Sequence, residues 1–270
     1  MSQETQQDQM SKKKIVYRLP GTDAVMVQRD LEYRSTDSGA LTMDIYYPPD
    51  SQGRERIPAV VFVAGYSDVG MQAVFGCKLK EMGSYVSWGE VVAASGLAAI
   101  TYATKDPITD TYALIQHIRR HAGSLGIDEN RIGVWACSGN VPMALSVLMQ
   151  EAHDYLKCAV LCYGLMLDLE GSTGVAQASK MYGFVNPSAG KSVTDLPRDL
   201  PLFIVRAGQD NPQVNAITDR FVAETLNCNL PLTFVNYHAG PHAFDLLHDS
   251  DTSREIIRQM LAFTQFHLLK

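Results

Sequence analysis

Apolar and polar positions alternate in the first part of the chain and give way to longer apolar runs further on. Residues 24–34 and 41–49 alternate in this way on either side of the turn-rich sequence STDSGA, which predicts an antiparallel strand pair. Residues 57–65 (IPAVVFVAG) are almost continuously apolar and rich in β-branched side chains. Such a run is typical of a strand that helices cover on both faces.

From residue 88 onward, strand and helix patterns follow one another to the C-terminus. One amphipathic helix is predicted over residues 109–126, with Leu114, Ile115 and Ile118 on its apolar face. The predicted strands cover residues 97–104, 131–137, 157–164, 201–208 and 232–238, and the other predicted helices cover 88–96, 141–152, 215–227 and 253–269. This order predicts an α/β fold, with a mainly parallel twisted sheet, an antiparallel N-terminal strand pair and helices on both faces. Such sheets place their sites at the carboxyl ends of the strands.

Two stretches fall outside this order. Residues 1–14 are Gln-rich and charged without an apolar period, so we expect a disordered tail ahead of a single domain over 15–270. Residues 166–199 carry Gly, Ser and Pro without a sustained period. A loop of this length inside a compact domain predicts a functional segment or a small lid.

Composition and charge narrow the classes of protein. The 270 residues suit one large α/β domain, and the formal net charge of −6 argues against a nucleic-acid partner. Five widely spaced cysteines do not form a disulfide framework, which favours a reducing compartment. The N-terminus lacks the apolar stretch of a secretory signal, and no run reaches about 18 apolar residues. We therefore expect a cytoplasmic protein without a membrane span, and the sequence gives no prediction of oligomeric state.

A candidate nucleophile stands between a predicted strand and a predicted helix. The strand RIGVWAC runs into Ser138 and then directly into VPMALSVLM, the context in which a small-x-Ser-x-small match indicates a nucleophile elbow. The turn requires small residues two positions before and after the serine. Ala136 meets this requirement, whereas Asn140 is larger than the usual Gly, although Asn tolerates unusual backbone angles.

With this elbow, the chain resembles the α/β-hydrolase superfamily, near the small carboxylesterases and dienelactone-hydrolase-like proteins. The resemblance is strongest over GIDENRIGVWACSGN and the following helix, and it covers nearly the whole chain after the tail. It implies the α/β-hydrolase fold and the order nucleophile, acid, base. Asp210 in the loop after PLFIVRAG resembles the family's acid, and His242 in AGPHAF resembles its base. The resemblance thus implies that Ser138 attacks, His242 accepts its proton and Asp210 orients the imidazole.

The developing oxyanion needs hydrogen-bond donors as well. The N–H of Gly139 follows the nucleophile and is one predicted donor. The resemblance places the second donor at Tyr66, after AVVFVAG, through its backbone N–H or through its hydroxyl. The family's common His-Gly pair is Ala64-Gly65 here, which argues against lipases and esterases of the HGGG type.

Several alternatives stay open from the residues themselves. Ser138 could be a helix N-cap, and Cys137 could be the nucleophile, although Trp135 would then occupy a position that must be small. Asp168, after the strand KCAVLCYG, is the rival acid to Asp210. Tyr66 could simply pack over the core.

The remaining histidines offer weaker alternatives to this site. His238 competes with His242 but ends a strand pattern. His117 and His121 have i, i+4 spacing, but Ile118 stands where a zinc protease would carry its Glu, and no third ligand is evident.

These features predict a serine hydrolase that uses neither a metal nor a cofactor. We expect a carboxylesterase that cleaves small-molecule esters with small to medium acyl groups through an acyl-enzyme on Ser138. The alternatives are a peptidase or thioesterase of the same fold, or a non-catalytic homologue that binds a ligand.

Overall fold

The computed structural model describes residues 9–37, 39–49, 51, 56–150 and 154–270. Within these ranges, eight strands form one sheet in the order β1-β2-β4-β3-β5-β6-β7-β8. The strands are β1 (Met26–Thr36), β2 (Gly39–Tyr47), β3 (Ile57–Phe62), β4 (Ala98–Tyr102), β5 (Ile127–Cys137), β6 (Leu156–Cys162), β7 (Leu202–Ala207) and β8 (Leu232–Tyr237).

The direction of the strands follows the predicted pattern. Strand β2 pairs antiparallel with β1 and with β4, and every other pair in the sheet is parallel. All residues of β3 and β4 are buried, as their continuous apolar runs predict for strands that are covered on both faces. The antiparallel N-terminal pair and the mainly parallel sheet are therefore confirmed.

Helices cover both faces of this sheet and create two separate cores. They are α1 (Asp68–Phe75), α2 (Gly83–Ala94), α3 (Pro107–Arg120), α4 (Ala122–Leu125), α5 (Val141–Leu148), α6 (Gly174–Tyr182), α7 (Pro212–Asn227), α8 (Phe244–Leu247) and α9 (Asp251–Leu268). Alternate residues of β3 point to opposite sides, so Val61 joins the core under α3, α5 and α7, and Val60 joins the core under α2 and α9. The predicted apolar face of α3 is buried at Leu114, Ile115 and Ile118.

The domain boundaries stay predictions, although parts of them can be placed. Residues 1–8 of the predicted tail lie outside the described residues. The end of that tail packs on the fold, because a Cβ at Gly83 would lie 2.6 Å from the Lys12 carbonyl oxygen. No helix in the described ranges combines the length and apolar character needed to cross a membrane. The cytoplasmic location also stays a prediction.

Candidate active site

The candidate nucleophile lies at the end of β5, which is hydrogen-bonded to β3 on one side and to β6 on the other. Ser138 follows directly, with a φ of 55° in the left-handed region that residues other than Gly rarely adopt. A short 3₁₀ turn over Ser138–Asn140 then leads into α5. This strained turn between strand and helix is the elbow that the sequence predicts.

Ser138, His242 and Asp210 form one chain of hydrogen bonds. His242 Nε2 lies 2.9 Å from Ser138 Oγ, and His242 Nδ1 lies 2.6 Å from Asp210 Oδ2. The side chain of Asp210 is 5% exposed and that of His242 is 41% exposed. The loops after β7 and β8 thus bring Asp210 and His242 close to Ser138, although the three residues are far apart in sequence. Their hydrogen bonds have the geometry of a nucleophile, a base and an orienting acid.

The rival acid and the rival histidines lie elsewhere. The Asp168 carboxylate accepts hydrogen bonds from the Val175 N–H (2.8 Å) and the Ala176 N–H (2.9 Å), so it caps the start of α6. His238 is exposed, and its carbonyl accepts a hydrogen bond from the Gln209 amide. His242 is therefore the histidine that reaches Ser138, and Asp210 is the acid that reaches His242.

His117 in the last turn of α3 and His121 directly after that helix have no third metal ligand among the described residues. The rings of His117 and His121 stack at 4.2 Å, and His121 Nδ1 lies 3.0 Å from the His117 carbonyl oxygen. Among the described residues, no group of three His, Cys, Asp or Glu side chains could hold a metal ion.

Cys137 faces away from the cavity that contains Ser138. Its thiol borders a separate cavity of about 50 Å³ together with Tyr163 and Asp245. Burial raises the pKa of the Cys137 thiol to about 12, and the Asp245 carboxyl acts in the same direction. A thiol with so high a pKa is protonated near neutral pH and is a poor nucleophile, which favours Ser138 in that role.

The loop after β3 is fixed against the elbow by its backbone. The Gly65 N–H donates to Asn140 Oδ1 (2.7 Å), and the Gly65 carbonyl accepts from the Val185 N–H (2.8 Å). A Cβ at Gly65 would lie 2.6 Å from the Gly139 carbonyl oxygen, so only glycine fits this approach. The main chain before Tyr66 is therefore held in place next to the candidate nucleophile.

Asn140 has a different role from the one its sequence position indicates. Its φ of −82° and ψ of −17° are ordinary helical angles, so the tolerance of Asn for unusual backbone angles is not needed here. The side-chain amide instead accepts from Gly65 and donates to the Tyr85 hydroxyl (3.0 Å). Ser138, not Asn140, carries the left-handed conformation.

Tyr66 lies between the elbow and the segment 166–199. A Cβ at Gly139 would clash with its hydroxyl, and its ring packs edge to face on Phe184 with the centroids 5.8 Å apart. Within the described residues, neither its N–H nor its hydroxyl donates a hydrogen bond. Burial raises the pKa of the Tyr66 hydroxyl to about 12, which keeps it protonated and able to donate. Both predicted donor groups of Tyr66 thus have unused hydrogen-bonding capacity.

The candidate triad opens into a cavity of about 470 Å³. We call residues 166–199 the roof, because its helix α6 covers one side of this cavity. The side chains around Ser138 are mostly apolar or uncharged, and the bordering residues are Tyr66, Leu165, Gly174, Gln177, Ala178, Met181, Tyr182, Asp210, Asn211, Gln213, Val214 and His242. A preformed cavity of this size and lining is typical of a small-molecule site.

Sequence reasoning missed two residues on the buried side of the site, Tyr163, which contacts His242, and Asp245, which contacts Tyr163. The Tyr163 ring lies edge to face on His242, with centroids 4.9 Å apart, and its hydroxyl donates to Asp245 Oδ1 (2.7 Å). In the sequence, Tyr163 stands at the end of an apolar strand pattern, and this pattern does not indicate a role in the site. A single acid in the otherwise apolar run Phe244–Leu247, three positions after the candidate base, is a weak signal that could have identified Asp245.

The sheet order, the helices on both faces and the elbow at the end of β5 define the α/β-hydrolase fold. No protein-family model matches the chain, and no curated protein matches its sequence. Solved structures with this fold do match.

An α/β-hydrolase from the metagenome of Lake Arreo superposes with a TM-score of 0.70 and 18% identity, over 99% of this chain and 88% of that one. An esterase from Rhizomucor miehei gives a TM-score of 0.72 and 16% identity, over 99% and 89%. A thermophilic esterase from Thermogutta terrifontis gives 0.66 and 19%, over 92% and 95%. At these identities the similarity shows the fold of the chain.

Proposed function

We propose that this protein is a serine hydrolase, a carboxylesterase that cleaves esters of small to medium acyl groups. The observation that carries the proposal is the hydrogen-bonded chain Ser138–His242–Asp210 at a cavity of about 470 Å³. A serine that shares a hydrogen bond with an imidazole, itself oriented by a buried carboxylate, is an activated nucleophile.

The proposed reaction uses two acyl transfers. Ser138 Oγ attacks the ester carbonyl carbon while His242 Nε2 takes its proton, and Asp210 stabilises the imidazolium that forms. The N–H of Gly139 and a donor from Tyr66 stabilise the oxyanion. His242 then returns the proton to the departing alkoxide, which leaves as the alcohol, and the acyl group stays on Ser138. A water molecule, deprotonated by His242, releases the carboxylic acid and restores the serine.

The lining of the cavity supports uncharged substrates. Among the described residues that border it, Asp210 and His242 are the ones with a carboxyl, imidazole, ammonium or guanidinium side chain, and both belong to the proposed triad. Gln177, Asn211 and Gln213 offer neutral hydrogen-bonding groups, and apolar side chains cover much of the remainder. Esters also fit the names of similar structures, since the Thermogutta terrifontis esterase is described with bound propionate and as phosphoramylated by tabun.

A fluorophosphonate probe tests the nucleophile directly. The wild-type protein should react at Ser138, as located by peptide mass spectrometry, and hydrolyse chromogenic esters. Ser138→Ala should lose labelling and lower turnover by roughly 10⁴-fold or more, because no other group replaces the nucleophile.

Cys137→Ala is the matched control, and it should keep most of the activity because the thiol faces the other cavity. Undiminished turnover in Ser138→Ala would exclude the serine mechanism. A wild-type protein that neither labels nor hydrolyses any ester, thioester or amide would instead be a ligand-binding homologue.

A further inference from the structure

A second carboxyl group lies behind the candidate base. Asp245 is three residues after His242, in the first turn of α8, and is 4% exposed. Its Oδ1 accepts the hydrogen bond from the Tyr163 hydroxyl (2.7 Å), and its Oδ2 accepts from the Trp88 indole N–H (2.8 Å). Both oxygens of a deeply buried acid are therefore paired, although the proposed reaction assigns it no role.

Tyr163 connects this acid to the base. The same ring whose hydroxyl holds Asp245 lies edge to face on His242, at 4.9 Å and 62°. Tyr163 also has a φ of 36°, in a region that a bulky residue adopts only when its surroundings hold it there. The contact between Tyr163 and His242 is thus fixed from the buried side.

Burial raises the pKa of Asp245 above its ordinary value, and the hydrogen bonds that it accepts oppose this effect. The Trp88 indole can only donate, and the hydrogen bonds from Trp88 and Tyr163 act against burial by lowering the pKa of Asp245. The other titratable groups that face it, the Cys137 and Cys162 thiols and the Tyr163 hydroxyl, are uncharged because burial raises their pKa values.

No Lys or Arg forms an ion pair with Asp245 in the described parts of the chain. Asp210 is the acid that faces His242 from the other side. The nearby group that can become positively charged during the proposed reaction is therefore the imidazole of His242, and its attraction for Asp245 lowers the pKa of that acid.

We propose that Asp245 is a second carboxylate that stabilises the protonated form of His242, and that Tyr163 is the positioning residue that links the two. The inference rests on the proposed function, because the stabilisation by Asp245 acts while His242 holds the proton of Ser138. Asp210 binds the imidazole directly, whereas Asp245 acts on it through the low-dielectric interior.

Asp245→Asn tests this inference, because the amide can still accept from Trp88 and donate to the Tyr163 oxygen while the charge is lost. The pH dependence of kcat/KM should keep its shape, with its acid limb moved to lower pH by roughly half a unit to one unit. The shift should be smaller than for a directly paired charge, since Tyr163 separates the two groups. Turnover at the plateau should fall about 10-fold with KM little changed, because Asp245 does not border the cavity of Ser138.

Asp249→Asn is the matched control, since it removes the same charge from an exposed position in the following loop and should leave the acid limb in place. If Asp245→Asn does not fold, Tyr163→Phe decides the question. It keeps the ring on His242 and removes one donor from the carboxylate, so a smaller shift in the same direction is expected.

An acid limb at the wild-type pH in a folded variant would contradict the proposal, even if turnover fell. The profiles are interpreted only for activity that Ser138→Ala abolishes. A failure of the serine mechanism itself is thereby recognised separately.

Discussion

The elbow and the roof border the same cavity but are built in different ways. The elbow is the end of a strand inside the sheet, and its turn is fixed by the β3 and β6 neighbours and by the Asn140 amide. The roof carries the nine-residue helix α6, which depends on a cap from Asp168 and on the bond from Val185 to Gly65. Two of its apolar residues, Met181 and Tyr182, are 73% and 61% exposed.

Under the proposed function, this difference separates the reacting groups from the residues that select the substrate. The proposed nucleophile follows the central strand β5, and the proposed acid and base lie on the loops after β7 and the edge strand β8. The wall that a substrate touches lies on a segment held by a few hydrogen bonds, and such segments change more easily. Asp210 and Asp168 are the two candidates for the acid in the sequence. Asp210 pairs with His242, whereas Asp168 belongs to the roof.

The largest expected effect comes from exchanging those two carboxylates for amides one at a time. Asp210→Asn should lower kcat by about 10⁴-fold with little change in KM, because the imidazole loses the acceptor that fixes its tautomer and stabilises its charge. Asp168→Asn should leave kcat within about 10-fold and mainly raise KM, because it weakens the cap of the roof helix. Steady-state kinetics on one chromogenic ester measures both variants.

A large loss of kcat in Asp168→Asn and a small one in Asp210→Asn would assign the role of the acid to Asp168 in the roof. The two regions would then not differ in the way described. Circular dichroism on both variants is the control, since each must retain the wild-type secondary structure for the kinetics to be compared.

A smaller effect is expected at Tyr66, which contacts both regions. Tyr66→Phe should lower turnover by less than about 10-fold if the backbone N–H is the second oxyanion donor, because the ring and its Phe184 contact remain. We expect this outcome, since Gly65 is anchored to Asn140 and to Val185 on its two sides. A loss of roughly 10² to 10³ in kcat, the scale for one such donor, would assign the role to the hydroxyl instead.

The smallest effect concerns stability at Asp68, two residues after Tyr66. Its Oδ2 accepts from the Thr104 N–H (2.9 Å), while the buried Oδ1 has no hydrogen-bond partner among the described residues. Burial raises the pKa of Asp68 from 3.8 to about 6, so the folded state binds the proton more tightly than the unfolded state. The stabilising contribution is complete below the unfolded pKa and is lost as the pH rises through about 6.

Asp68→Asn cannot ionise and should remove this dependence. Between pH 5 and pH 8, the free energy of unfolding of the wild type should fall relative to that of the variant by about 1–1.5 kcal/mol. Urea titrations at the two pH values measure this difference, and the exposed Asp199→Asn serves as the control for the change in net charge. Equal pH dependence in wild type and Asp68→Asn would show that Asp68 does not titrate in this range.

The sequence predicted the sheet and the elbow because their patterns repeat along the chain. The alternation in β1 and β2, the apolar run of β3 and the strand-serine-helix order each depend on neighbouring residues only, and the structure reproduces them. Asp210 and His242 were predicted from the resemblance to the family, in the loops after two predicted strands. Ends of elements were less accurate, as in α3, which begins at Pro107 behind the Asp106 cap and not at residue 109.

The roof and the buried side of the site were not predictable in this way. Helix α6 is held by the Asp168 carboxylate and packs with Gly174 against the side chains of Gln213 and Ile217, contacts with little local pattern. The pairing of Trp88 with Asp245 joins residues 157 positions apart. A single sequence does not indicate that such distant residues meet.

The central place of β5 in the sheet also determines which parts of the molecule unfold first. Strand β5 has three sheet neighbours on one side, β6, β7 and β8, and four on the other, so the amide protons of Val134 and Trp135 should exchange with solvent only through global unfolding. Helix α6 is buried at Gly174 and Val175, but its C-terminal residues are exposed, so its amides can exchange through local opening. Under mild denaturing conditions, deuterium should therefore enter the wall of the cavity while the strand that carries Ser138 is still fully protonated.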